Sequence, residues 1–268
     1  MPLAPLVAAL LLAGPAAPSA PWRTLEPGLE YGTFDGPPGA AGDRKIVVVR
    51  VDPRIFELRL LNASAPGQGA PLSARGWAER ASASAVINAG MYQEDYRTAV
   101  SLQRTRDHVN QRRLSKDRAA LLFDRLSTSV PPVRMVDRDC DDLEAEARSY
   151  GTVVQSIRML SCQGKNVWAP SDRRWSIAAL GVDGAGRVLF LHAQSAWPVH
   201  EFVNALLALP IDLRRAMYLE GGPEAQLYAR GGGVVVERFG SFIGAQAVTR
   251  EGWKVPNVIA AVRRSKSK

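Results

Sequence analysis

Short runs of β-branched and aliphatic residues recur along the chain, and turns rich in glycine and proline separate them. Runs of this length that alternate apolar and polar positions, or are apolar throughout, predict half-buried or buried strands. We predict an entry strand at residues 22–31 and a hairpin around Asp52-Pro53 joining strands at 45–51 and 56–61. Further strands are predicted at residues 85–87, 121–123, 133–136, 152–155, 176–182, 188–192, 216–219, 234–236 and 258–262.

Helical periodicity is confined to a few segments. Residues 71–83 predict a helix with Leu72 near its start and Trp77 facing the core, and the acidic segment 139–149 also predicts a helix. Pro198 opens a third helix, because proline fits the first turn and apolar residues follow at helical spacing. This helix lies inside one strand–helix–strand unit, residues 188–219. We therefore predict an α+β fold over residues 21–262, a single domain of mixed or antiparallel sheets with a few packed helices.

The N-terminal 20 residues have the composition of a targeting segment. An apolar run at residues 3–14 is too short to span a bilayer, and small residues typical of a cleavage site follow it. We interpret residues 1–20 as a signal peptide, the alternative being an unstructured start. Residues 263–268 are a basic tail. The chain is therefore expected to be periplasmic or secreted, with no transmembrane segment after signal removal.

Composition limits the partners. The chain has 268 residues, of which 46% are hydrophobic and 22% charged, and its formal net charge is +8. The arginines are scattered among acidic residues and no nucleic-acid-binding motif occurs, so we expect no nucleic-acid partner. A phosphorylated sugar or an acidic polysaccharide suits the positive charge. No zinc, phosphate-loop or calcium-loop motif is present, so no cofactor or metal is expected. The sequence leaves the oligomeric state open.

The two cysteines, Cys140 and Cys162, could form one disulfide in an exported protein. Two separate buried thiols are the alternative.

The strongest chemical signal follows the predicted strand 216–219. Glu220 puts a carboxylate at the strand end, next to Gly221 and Gly222, which tolerate positive φ and let a ligand approach the backbone. Pro223 and Glu224 could then begin a helical turn whose free N–H groups face an anion. The alternative is an ordinary glycine corner.

Three weaker signals are present, two of them also polar residues at the end of an apolar strand. Strand 85–87 delivers Asn88 and Gly90 into a small-residue turn, and Gln155 and Ser156 end another apolar strand. The adjacent guanidinium groups of Arg173 and Arg174 suit the capture of a phosphate, although a solvated loop would look the same.

Taken in order, these segments resemble the phosphodiester glycosidase family. That family includes the enzyme that uncovers mannose 6-phosphate by removing N-acetylglucosamine, and bacterial proteins tied to exopolysaccharide. The resemblance spans roughly residues 45–262. It is carried by Asn88-Ala89-Gly90-Met91-Tyr92, Gln155-Ser156, Gly181-Val182, Leu219-Glu220-Gly221-Gly222 and Val255-Pro256-Asn257-Val258.

The chain departs from the family pattern at four positions. Glu220 stands where the family has Asp, and Ile157-Arg158 replaces a Gly-Pro pair. Ile177 stands where the family places an Arg, and we expect Arg173 or Arg174 to substitute for it from a neighbouring turn.

The resemblance implies an exported glycosidase-like hydrolase that cleaves a sugar-phosphate diester or a related bond of an envelope or extracellular glycan. Glu220 would be the acid/base or nucleophile and Glu224 the second carboxylate, because such reactions use paired groups. Asn88 would be a third catalytic residue that orients the sugar together with Gln155. Gly90, Ser156, Gly221 and Gly222 would also bind the substrate, and Arg173 or Arg174 would bind the phosphate. The alternative is a non-catalytic glycan-binding or structural envelope protein on the same fold, which the departures favour.

Overall fold

The structure is a computed structural model, and it describes residues 21–36, 44–241 and 251–265. Within these ranges strands dominate, with sixteen β-strands, three α-helices and one short 3₁₀ turn. The first eight strands are β1 (Trp22–Glu26), β2 (Leu29–Asp35), β3 (Lys45–Val51), β4 (Phe56–Asn62), β5 (Ala85–Asn88), β6 (Gln103–Arg104), β7 (Val109–Gln111) and β8 (Ala119–Arg125). The others are β9 (Val133–Asp137), β10 (Tyr150–Arg158), β11 (Arg174–Asp183), β12 (Val188–Pro198), β13 (Leu213–Gly221), β14 (Gln226–Gly231), β15 (Val234–Phe239) and β16 (Asn257–Arg263).

The described strands form two sheets. The larger has eleven strands in the order β1-β2-β3-β12-β11-β13-β10-β6-β7, with β8 and β9 attached through β10. The smaller has five strands in the order β15-β14-β5-β16-β4. Every strand pair in the described residues is antiparallel. The fold is thus richer in β-structure than the predicted α+β class, while the antiparallel arrangement and the few helices agree with the prediction.

Strand alternation explains how the two sheets pack. On β3, Val47, Val49 and Val51 lie in the core between the sheets, while Ile46 and Val48 face the opposite side of the large sheet. A period of two places alternate residues on opposite faces, so an uninterrupted apolar run serves two cores.

Three helices cover the sheets: α1 (Ala74–Ala81), α2 (Leu143–Ala147) and α3 (Val199–Ala208). The side chain of Ser73 caps α1, and the Trp77 indole N–H donates to the carbonyl of Val255 at 2.9 Å, so α1 packs on the small sheet. Helix α3 buries Phe202 and Leu206 against the outer face of the large sheet. No helix in the described ranges is long and apolar enough to cross a membrane.

Two local predictions need correction. The hairpin at Asp52-Pro53 is wrong, because β3 pairs with β2 and β12 while β4 pairs with β16. The turn there carries the chain from one sheet to the other. The acidic helix is much shorter than predicted and begins only after Asp142, whose carboxylate accepts hydrogen bonds from the N–H groups of Glu144 and Ala145.

The strand–helix–strand unit is present as β12, α3 and β13. Strand β11 lies between β12 and β13 and pairs with both of them. This arrangement brings the end of β13 to the start of β11, where Gly221 lies opposite Ile177.

Candidate active site

Glu220 lies at the end of β13, opposite Ala178 of β11. Its Oε1 accepts a hydrogen bond from the N–H of the next residue, Gly221, at 3.0 Å. Burial is the main reason that the pKa of Glu220 rises to about 8; the Gly221 hydrogen bond opposes this rise, and the nearby Glu224 adds to it. A carboxyl group with this pKa is protonated at neutral pH and can donate a proton.

Glu224 lies near Glu220 because the chain turns sharply after β13. Residues Gly222–Glu224 form a single 3₁₀ turn, closed by a hydrogen bond from the N–H of Ala225 to the carbonyl of Gly222 at 3.1 Å. Gly222 has φ +64°, a conformation that glycine adopts without steric cost. Burial raises the pKa of Glu224 as well, although this side chain is the less enclosed of the two. The predicted helix start does not form here, because Gln226 already begins β14.

Asn88 holds the turn in place. Its Nδ2 donates to the carbonyl of Glu224 at 2.8 Å, and its Oδ1 accepts from the N–H of Gln226 at 2.7 Å. The side chain is 1% exposed. Asn88 therefore acts on the backbone that carries Glu224, and we assign it a positioning role.

Gly90 and Ser156 lie together on the other side of this turn. Gly90 has φ +130°, and a Cβ built on it would lie 3.8 Å from Ser156 Oγ. The Ser156 hydroxyl donates to the carbonyl of Tyr218 at 2.5 Å, which ties β10 to β13 two residues before Glu220. The structure thus brings Asn88, Gly90 and Ser156 to the segment that carries both carboxylates.

Gln155 faces away from these residues. Its Oε1 accepts from the N–H groups of Leu102 and Ser115 at 3.2 and 3.0 Å, and its Nε2 donates to the carbonyls of Ser115 and Asp117 at 3.1 and 2.7 Å. All four hydrogen-bonding positions are used by backbone groups. We therefore assign Gln155 to holding the segment around residue 115, and not to a ligand.

Arg173 and Arg174 lie where β11 begins, beside the end of β13. Neither guanidinium forms a hydrogen bond or ion pair within the described residues. Arg174 starts the strand, and the next residue, Trp175, comes close to Gly221: a Cβ built on Gly221 would lie 3.3 Å from Trp175 Cβ. Arg174 therefore lies three residues before Ile177, the β11 residue that pairs with Gly221.

The departures from the family pattern have structural explanations. Ile177 is fully buried in the outer core, so no cation occupies its position. Arg158 pairs with the buried carboxylate of Asp137 at 2.7 Å and with Asp139 at 2.6 Å. Cys140 and Cys162 form a disulfide near this ion pair, with a Cα–Cα distance of 6.5 Å. Arg158 and the disulfide together stabilise the ends of β9 and β10.

Two tyrosines near the carboxylates were not among the predicted site residues. Burial, together with the charges of Glu220 and Glu224, raises the pKa of both Tyr92 and Tyr218. Within the described residues the buried Tyr92 hydroxyl has no hydrogen-bond partner. Tyr218 lies two residues before Glu220, but the pairing of β13 with β11 shifts register between them, from Ala179 to Ala178, so strand alternation gave no usable signal that both groups lie at the site.

A buried amide network supports the turn at residues 88–92 from behind. Gln103 Nε2 donates to the carbonyl of Ala89 at 2.9 Å, and Asn62 Nδ2 donates to Gln103 Oε1 at 3.0 Å and to Asn257 Oδ1 at 2.8 Å. Asn257 belongs to the Val255–Val258 segment, while Asn62 and Gln103 had no local signal in the sequence. The network fixes the turn that carries Asn88 and Tyr92.

Comparison with known proteins identifies the family. The phosphodiester glycosidase family model matches residues 81–262, which include Asn88, Ser156, Glu220 and Glu224. Because the match covers more than half of the chain, the protein belongs to the phosphodiester glycosidase family, whose members are glycosidase-type hydrolases. No curated protein sequence matches the chain.

Solved structures share the fold. The catalytic domain of zebrafish N-acetylglucosamine-1-phosphodiester alpha-N-acetylglucosaminidase, auto-inhibited by its pro-peptide, has a TM-score of 0.67 and 13% identity. That match covers 90% of this chain and 86% of the zebrafish chain. A hypothetical protein from Synechocystis has a TM-score of 0.61 and 14% identity, covering 92% of this chain and 64% of its own. At these identities the similarity concerns the fold alone.

Proposed function

We propose that this protein hydrolyses the bond between an anomeric sugar carbon and a phosphodiester oxygen. The observation that carries the proposal is the pair of carboxyl groups at the end of β13, one of them, Glu220, with a pKa of about 8. A carboxyl group that burial keeps protonated, next to a second and less enclosed one, suits an acid and a base in one site. Membership of the phosphodiester glycosidase family supports the reaction class.

The two carboxyl groups divide the work of the reaction. Glu220, protonated at neutral pH, donates its proton to the phosphate oxygen as the bond from that oxygen to the anomeric carbon breaks. Glu224, the less enclosed group, takes a proton from the water that adds to the anomeric carbon. A phosphate leaving group is itself acidic, so proton donation by Glu220 supplies only part of the rate acceleration.

The phosphate is bound by Arg174. This residue begins β11 next to Trp175, which contacts the Gly221 end of the site, whereas Arg173, one position further out, is the more exposed of the two. Arg174 thereby supplies the positive charge that Ile177 lacks. A planar guanidinium can engage two phosphate oxygens at once.

We also propose that the substrate lies outside the cytoplasm, in a periplasmic or secreted glycan, because residues 1–20 have signal-peptide composition. Those residues lie outside the described ranges. Mass spectrometry of the mature protein tests this part, and retention of the apolar N-terminus would contradict it.

Hydrolysis of N-acetylglucosamine 1-(methyl phosphate) by the purified protein tests the activity. We expect wild type to release N-acetylglucosamine, and Glu220→Gln to be slower by about 100-fold or more, because general acid catalysis contributes on this scale. Glu79→Gln, a change in an exposed carboxylate of α1, is the matched control and should retain wild-type activity. Equal activity of Glu220→Gln and wild type would exclude the role given to Glu220.

A non-catalytic glycan-binding protein is the second candidate. Ile177 and Arg158 favour it, since Ile177 is a fully buried apolar residue and the guanidinium of Arg158 is engaged by Asp137. Binding of the same probe without hydrolysis by wild type would establish this alternative.

A further inference from the structure

Tyr96 is exposed in a position that costs conformational energy. Its side chain is 60% exposed and its φ is +53°, in the left-handed region. Residues with a Cβ are disfavoured there by roughly 1–2 kcal/mol relative to the ordinary helical region, whereas Gly and Asn are tolerated. A strained, exposed aromatic residue therefore points to a use for its ring.

The segment that carries Tyr96 is rigid. Residues 91–100 form a narrow ribbon, with the N–H of Gln93 donating to the carbonyl of Thr98 at 2.7 Å and that of Val100 to Met91 at 3.0 Å. Asp95 accepts from the backbone N–H groups of Arg97 and Thr98 at 3.0 and 2.9 Å, beside Tyr96. These hydrogen bonds fix the backbone at the end of the ribbon. Tyr96 therefore keeps its position although its ring does not pack on the core.

The ribbon places Tyr96 next to the carboxylate site. The rings of Tyr96 and Tyr92 are 5.7 Å apart, centre to centre. The ribbon starts at Met91, which packs on the outer core, and it follows Asn88, whose side chain donates to the carbonyl of Glu224. The aromatic pair Tyr92–Tyr96 therefore borders the site on the side of the 88–92 turn.

A second group of aromatic residues borders the site at β13. The rings of Trp168 and Tyr218 are 5.5 Å apart, and a Cβ on Gly221 would lie 2.1 Å from the Tyr218 hydroxyl. Trp175, 43% exposed, contacts the same glycine. One ring of each group, Tyr92 and Tyr218, lies close enough to Glu220 and Glu224 for their charges to raise its pKa.

We propose that Tyr96 is a specificity-determining residue whose ring stacks on a sugar ring of the substrate. The proposal rests on the proposed function, since it places the sugar at the same site. A sugar ring has an apolar C–H face that packs on a flat aromatic ring, and its hydroxyl groups remain in water. Tyrosine suits such a partly wet contact because it joins an apolar ring to a polar hydroxyl.

Three variants of Tyr96 test the proposal through binding, with Glu220→Gln protein as the parent. Tyr96→Asn removes the ring and keeps the left-handed conformation, so the fold should be at least as stable as the parent. The measured quantity is the Kd for N-acetylglucosamine 1-(methyl phosphate), by calorimetry. We expect Tyr96→Asn and Tyr96→Ala to raise the Kd about tenfold, and Tyr96→Phe to stay within about twofold.

Leu126→Ala is the control, because it removes an exposed apolar side chain elsewhere, one that is 54% exposed just after β8. It should leave the Kd unchanged. An unchanged Kd in Tyr96→Asn would overturn the proposal, as would a parent that does not bind the probe. So would a change in oligomeric state by sedimentation without a change in Kd, which would make Tyr96 part of a protein interface. Hydrolysis by wild type is measured separately, so loss of activity and loss of sugar stacking remain distinct results.

Discussion

Glu220 is the proton donor in the proposed reaction. Glutamate is longer than the aspartate of the family pattern by one methylene, and this length lets Oε1 fold back onto the N–H of Gly221. That bond favours the charged form, yet burial outweighs it and the net result is a raised pKa. The enclosure on which the proposed role of Glu220 rests therefore also reduces the stability of the folded protein at alkaline pH.

The first prediction concerns the folding stability that is lost at alkaline pH because Glu220 is buried. Between its ordinary pKa of 4.5 and its folded value of about 8, Glu220 stays protonated in the folded protein while the unfolded chain releases the proton. Stability therefore falls as pH rises through this window and is fully reduced above it. Glu220→Gln removes the contribution, so its Tm should fall less than that of wild type between about pH 5 and about pH 8. If the Tm values of the two proteins changed with pH in parallel, burial would not raise the pKa of Glu220 in the folded protein.

Local sequence patterns account well for residues at strand ends and poorly for their roles. Asn88, Ser156 and Glu220 were predicted because each is a polar residue at the end of an apolar strand. All three lie around the turn at Gly222–Glu224. The sequence could not show that Asn88 and Gln155 bind backbone groups, because their partners are far apart in the chain. Gln155 contacts a segment about 40 residues away that no local pattern connects to it.

At the scale of elements, the 3₁₀ turn after β13 decides where the second carboxylate lies. Gly222 provides the positive φ, and the carbonyl of Gly222 and the side chain of Asn88 fix the return to β14. A glycine pair predicts a turn but not its length, so the sequence left open whether a helix would follow. The structure shows one turn and then a strand.

The second prediction compares two glycines. Gly222→Ala and Gly233→Ala both place a Cβ at positive φ, +64° and +75°, so each should lose about 1 kcal/mol of stability. Gly222 begins the 3₁₀ turn that carries Glu224, so relief of its strained φ shifts that carboxylate, whereas Gly233 has open space around it in the β14–β15 turn. Only Gly222→Ala should therefore reduce kcat, by about tenfold or more. Comparable kcat values for both variants would show that Glu224 takes no part in the reaction.

At the scale of the whole molecule, two antiparallel sheets with facing apolar sides explain most of the fold. The alternation that predicted the strands also explains the two cores on either side of β3. The order of strands did not follow from the sequence, because antiparallel pairing of distant strands depends on long-range packing. The failed hairpin at Asp52-Pro53 illustrates this limit, since a good turn signal joins two sheets there and not two paired strands.

The third prediction concerns the disulfide. Cys140–Cys162 closes a loop with a sequence separation of 22 residues and lies next to the Arg158–Asp137 ion pair. Cross-linking over this distance restricts the unfolded chain, so replacing both cysteines by serine should lower the free energy of unfolding by about 3 kcal/mol. Denaturant unfolding measures this loss, and dithiothreitol should destabilise wild type but leave the double variant unchanged. Insensitivity of wild type to dithiothreitol would show that the thiols are not paired in solution.

The central claim is that Glu220 acts as the proton donor of a sugar-phosphodiester hydrolase, and the pH dependence of kcat/KM tests it most directly. With N-acetylglucosamine 1-(methyl phosphate) as substrate, kcat/KM should fall as pH rises through about 8, because Glu220 then loses its proton. The residual activity of Glu220→Gln should lack this descending limb. A wild-type kcat/KM that rises through the same range would contradict the account, because the ionised form of Glu220 would then be the active one.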